Sequence, residues 1–81
     1  MNIQEHLKNL RLKSNHSVNS LGKISNVSAS HISRIENGER MPTPEILRKF
    51  SNVFNVDFIE LLVISNVINL NDIEKYVNVN K

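Results

Sequence analysis

The sequence predicts an all-α fold, a compact bundle of five short helices, on three observations. Apolar residues recur at spacings of three and four, so that they line one side of a helix. Most of these runs follow a serine, threonine or aspartate that can cap a helix, at Ser17, Ser28, Thr43 and Asp57. Between the runs stand short clusters of Asn, Gly, Pro and Ser that favour tight corners. With 81 residues, 40% of them hydrophobic and no cysteine, one modest core must hold without disulfides.

The first helix is expected from about Ile3 to Lys13, with Ile3, Leu7 and Leu10 on its inner side. Ser14, Asn15 and His16 break that stripe and read as a surface turn. Ser17 then caps a second helix over about Val18–Ser25, whose apolar residues are Leu21 and Ile24. Gly22 lies in its middle, at a cost of about 0.5–1 kcal/mol relative to alanine. It is either a tolerated weak spot or a place where two backbones come too close for a side chain. The second reading is favoured, because this helix has little propensity to waste.

Asn26 suits a left-handed corner, Val27 plugs the core, and Ser28 caps a third helix running to about Glu36. Ile32 and Ile35 face inward from it, while Ala29, Ser30, Ser33 and Arg34 point elsewhere. Asn37-Gly38 stops it. Only Ser25 to Ser28 separate the second and third helices, which is enough for a sharp corner and too little for a crossover. Two short helices so joined form a helix-turn-helix unit.

Thr43, Pro44 and Glu45 start the fourth helix as cap, first helical residue and dipole-favouring acid. Its apolar face, Ile46, Leu47, Phe50, Val53 and Phe54, is the broadest in the chain. Asn55 and Val56 make the next corner, and Asp57 caps a short helix containing Phe58, Ile59, Leu61 and Leu62. Residues 1–62 are taken as the domain. Residues 63–81 form an apolar tail without clean periodicity, where Asn71 or Asp72 could cap a last turn with Ile73, Tyr76 and Val77. That tail completes the core, makes a dimer contact, or begins something longer.

Charge and composition narrow the function classes. The net charge is +2, but residues 1–44 carry six Lys/Arg against three Glu and residues 45–81 four against five Asp/Glu. A basic N-terminal half is compatible with nucleic acid. No apolar run is long enough for a membrane span or a secretory leader, so the expected compartment is the cytoplasm. His6, His16 and His31 are too widely spaced for a metal site, and no cofactor is implied. A glycine-rich phosphate loop, an HExxH arrangement and an ordered catalytic triad are all missing, so the chain is not read as an enzyme.

Residues 7–62 resemble the Cro/C1-type helix-turn-helix domain, the lambda-repressor-like fold of phage repressors and many bacterial xenobiotic-response-element-like regulators. The matching stretches are LKNLRLK at 7–13, SVNSL at 17–21, NVSASHISRIENG at 26–38, MPTPEILRKFSNVFNV at 41–56 and DFIELL at 57–62. The resemblance implies double-stranded DNA as partner, with the third helix in the major groove. Ala29, Ser30 and Arg34 then face base edges, with Ser33 beside them. Arg34 is the candidate for a bidentate contact to guanine, against the plainer reading of a solvated arginine. Ser30 can pair with several base edges, and Ala29 offers only a methyl group. Candidate backbone contacts are Asn37, Arg40 and the helix starts at Ser17, Val18, Ser28 and His31, where N–H groups can meet phosphate. His31 reads equally well as a partly exposed residue near the preceding helix.

The family pattern also sets Arg11 against Glu36 as a structural ion pair. In two places the chain departs from that pattern: Val18 and Ala29 stand where glutamines are usual, and an amide pair that braces the backbone contact is lost. Function is therefore expected to be a sequence-specific transcriptional regulator, a repressor acting as a homodimer on DNA. The alternatives are a protein-interaction module such as an antitoxin or antirepressor, and the N-terminal DNA-binding domain of a larger ligand-responsive regulator.

Overall fold

A computed structural model describes residues 2–66; the expectations placed on residues 67–81, including the final turn around Tyr76, lie outside the described residues. The described residues form five helices and no strand: α1 (Ile3–Lys13), α2 (Val18–Ser25), α3 (Ala29–Glu36), α4 (Pro44–Phe54) and α5 (Phe58–Ile64). Every start is fixed by a side chain that accepts one of the N–H groups the first helical turn leaves unpaired. Asn2 accepts from Glu5 N–H (2.8 Å), Ser17 from Ser20 (3.0 Å), and Ser28 from His31 (3.2 Å). Thr43 accepts from Ile46 (3.2 Å) and Asp57 from Ile59 (2.9 Å).

Four of the thirteen asparagines turn the chain at helix ends. Asn15, Asn26, Asn55 and Asn66 all have φ between 55° and 66°, the left-handed region that asparagine tolerates better than most residues. Asn26 and Asn55 are themselves the C-terminal caps of α2 and α4, and Asn15 and Asn66 follow the caps of α1 and α5. The chain thus turns four corners on asparagine, where glycine would leave the unfolded state more freedom to lose, and uses glycine after α3, at Gly38 with φ 81°.

One core gathers residues from every element. Ile3 and Leu7 of α1, Leu21 of α2, Ile32 and Ile35 of α3, Leu47 and Phe50 of α4 and Leu61 of α5 are all buried, with Val27 closing the cluster from the corner. The packing pairs are α2 with α3, α4 with α5, α1 with α3 and α2 with α4. Arg48 also lies over the Phe58 ring, 4.2 Å from its centroid, and ties α4 to α5.

Two of the apolar residues named for the short helices do not reach the core. Ile24 is 51% exposed, because the inner stripe of α2 is Val18, Leu21 and Ser25. Ser25 takes the inner place with its hydroxyl satisfied, donating to Leu21 C=O at 2.6 Å. Ile59 is likewise exposed, lying off the Phe58–Leu61–Leu62–Ser65 side of α5. Val63 and Ile64, read from the sequence as the first residues of the tail, belong to α5.

Candidate nucleic-acid interface

The seat of α3 is built by four restraints. Ile32 and Ile35 anchor its inner side in the core. The second is the closeness of α2: a Cβ at Gly22 would stand 2.9 Å from Val27 O and 3.3 Å from Ala29 N. Both are backbone atoms that cannot swing away, so glycine is what lets α2 reach the start of α3. Third, Asn26 at φ 60° turns the corner between them.

The fourth restraint is the ion pair of Arg11 with Glu36. Arg11 Nε donates to Glu36 Oε2 at 2.7 Å, and its second terminal nitrogen donates to Oε1 at 2.9 Å. The remaining nitrogen donates to His16 C=O at 3.0 Å. The two side chains are only 10% and 8% exposed. The hydrogen bond to Glu36 raises the Arg11 pKa, burial opposes it, and the coulombic attraction of Glu36 adds to the rise. One guanidinium therefore ties α1, the α1–α2 corner and the end of α3 together, and it neutralises a carboxylate at the edge of the α3 surface.

On the other side of α3, Ser30 and Arg34 are exposed, with Ala29 and Ser33 half-buried next to them. Ser30 and Arg34 are four residues apart, one turn of the helix, so they share a side. Arg34 makes no ion pair among the described residues. Its C=O accepts from Glu39 N–H (2.8 Å) and Arg40 N–H (3.3 Å), which folds the chain after α3 back alongside it. Asn37 and Arg40 are exposed there.

Some expected backbone-contacting positions are arranged differently. The Val18 side chain is half-buried and packs against the core. His31 is half-buried and lines a groove towards α4 with Thr43, Glu45 and Lys49. The Ser28 hydroxyl is occupied in capping His31, and Ser17 is similarly engaged with Ser20. Two positions not singled out from the sequence, Asn19 and Lys23, line an open groove with Gly22 and Ala29. Their four-residue spacing on a helix with no acidic residue was the available signal.

Two short helices, a left-handed corner and a firmly seated second helix with a polar outer side define the helix-turn-helix class. A family model described as helix-turn-helix, of the Cro/C1 type, matches residues 7–61. The chain belongs to that family, and its family is one of DNA-binding regulators. No match is found among curated proteins or among solved structures. No helix among the described residues is long and apolar enough to cross a membrane.

Proposed function

We propose that this protein is a sequence-specific transcriptional repressor that lays α3 in the major groove and blocks a promoter as a homodimer, in the cytoplasm. The observation that supports the reading is the outward pair Ser30 and Arg34 on a helix held by α1 and α2. A major-groove reader must bring its first turns to base edges without moving when it does so. Arg34 is the strongest reader, because a guanidinium can donate twice to guanine O6 and N7. Ser30 and Ser33 make weaker polar contacts, and Ala29 packs against a thymine methyl.

Phosphates on either side set the register. Asn37 and Arg40 serve that role after α3, and the open N–H groups at the starts of α2 and α3 serve it on the other side. Two copies reading half-sites about 34–36 Å apart follow from the small footprint of one domain.

The test is a titration of a duplex carrying the region upstream of the protein's own gene against a random duplex, each at two salt concentrations. Tighter binding to the first is expected. Equal binding to both, with strong salt dependence, would leave a non-specific DNA-binding module. Binding to neither would favour the protein-interaction reading that the apolar Val18 and Ala29 already invite.

A further inference from the structure

The two flanks of α3 differ in charge, and the difference points to a contact outside the reading helix. On the α4 side, exposed Arg40 stands next to exposed Glu39, and Lys49 is within 3.9 Å of Glu45. That flank is close to charge-balanced. On the α2 side, the helix VNSLGKIS contains no acid at all. Its single cation, Lys23, is exposed and makes no ion pair among the described residues. Lys23 and Asn19 share a groove with Gly22, Ser28 and Ala29. Because Gly22 lets α2 approach the first turn of α3 so closely, these two side chains stand beside Ala29.

From this placement we propose that Lys23, assisted by Asn19, grips a DNA phosphate on the α2 side of α3 and is the main source of electrostatic affinity on that flank. The inference rests on the DNA-binding reading above and adds a contact to it. The groove carries the Lys23 ammonium and the polar side chains of Asn19, Asn26 and Ser28, with no acidic residue among those that line it. A phosphate oxygen placed there meets the Lys23 ammonium, the Asn19 amide and the unpaired N–H groups at the start of α3. Lys23 is a positioning residue in this scheme. It strengthens binding to every sequence and reads none.

The full chain with Lys23→Gln and Lys23→Arg is compared with the parent on a random duplex and on the upstream duplex between 0.1 and 0.5 M salt. Each neutralised phosphate contributes about −0.9 to the slope of log Kobs against log salt. Removing one should therefore flatten the slope by about 0.9. If the contact vanishes near 1 M, affinity should fall by about 8-fold at 0.1 M and about 2-fold at 0.5 M. The loss should be the same on both duplexes, and Lys23→Arg should keep the parental slope. A Lys23→Gln protein with parental slope overturns the inference while leaving the DNA reading intact. So does a loss confined to the upstream duplex, which would make Lys23 a base reader. A parent that binds neither duplex overturns the DNA reading and this contact with it.

Discussion

Arg11→Ala separates a buried ion pair from a surface one, and the geometry decides the expected size. The substitution removes both donors to Glu36 and the donor to His16 C=O. It leaves a carboxylate whose side chain is 8% exposed in the parent with no cation beside it. Breaking a desolvated pair this way costs about 3–5 kcal/mol, against about 0–1 kcal/mol for an exposed pair. In so small a domain little protein lies between the pair and water, so the field is partly screened and the low end, about 3 kcal/mol, is expected. For a domain of this size each kcal/mol shifts Tm by about 4–8 °C, which gives a fall of about 12–24 °C. Total stability is itself only about 4–12 kcal/mol for a chain of this length, so the variant should be near unfolding at 37 °C.

Urea denaturation followed by circular dichroism measures the loss, with an unchanged slope showing that the same surface is exposed on unfolding. The sign of the pH dependence follows from the upward shift of the Arg11 pKa. A raised pKa contributes stability that is complete below the unfolded-state value and is lost only as pH rises through the folded-state value. For arginine that window lies beyond the range of ordinary measurement, so the deficit attributable to Arg11 should be the same at pH 6 and pH 9. DNA affinity should fall together with stability. A double variant, Arg11→Met with Glu36→Leu, should recover most of the stability, because it removes both desolvated charges. A loss below about 1 kcal/mol for Arg11→Ala would refute the buried-pair argument, and full stability alongside lost DNA affinity would make Arg11 a phosphate contact.

Three further substitutions test the seat, the cap and the outer side of α3. Gly22→Ala puts a Cβ 2.9 Å from Val27 O; overpacking of about 1–3 kcal/mol outweighs the helix-propensity gain of about 0.5–1 kcal/mol, so the urea midpoint should fall. Ser28→Ala deletes the acceptor of His31 N–H and should cost about 1 kcal/mol, read by the same denaturation, with the fold retained. Arg34→Ala should leave stability unchanged and reduce discrimination between the upstream and random duplexes by about 5- to 150-fold, the equivalent of about 1–3 kcal/mol. Undiminished discrimination in that variant would take Arg34 out of the reader role.

The helix bounds were legible because caps are local: one serine, threonine or aspartate and the residue after it settle where a helix begins. Gly22 was legible for a related reason, since a glycine inside a short helix is costly unless something needs the space. Burial was less legible in α2 and α5. An eight-residue helix has barely two turns, so its inner stripe is set by what packs against it as much as by which residues are apolar. Ser25 is buried and Ile24 is half exposed, because Ser25 lies on the inner stripe and can pair its hydroxyl with its own helix, while Ile24 lies off that stripe. Asn26 was legible as a left-handed corner, whereas the same backbone conformation at Asn15, Asn55 and Asn66 appears only when the chain is traced in space. Asn19 and Lys23 were missed because a groove between two helices is a property of how they meet.

The proposed reader has a consequence for how the protein must act. A repressor distinguishes its site from bulk DNA by about 4–10 kcal/mol. The outer side of α3 offers one guanidinium, worth about 1–3 kcal/mol, and small polar or methyl groups worth less each. One domain therefore falls at or below the bottom of the required range. Two copies on matched half-sites double the contribution without any new contact within either copy, and they place it inside the range. Val18 and Ala29 sharpen this requirement, because each stands where an amide would have braced or read. Dimerisation is thus the step on which sequence-specific repression depends in the proposed mechanism. A chain shown by analytical ultercentrifugation to stay monomeric both free and on the upstream duplex should discriminate that duplex from random DNA by little more than Arg34 alone supplies.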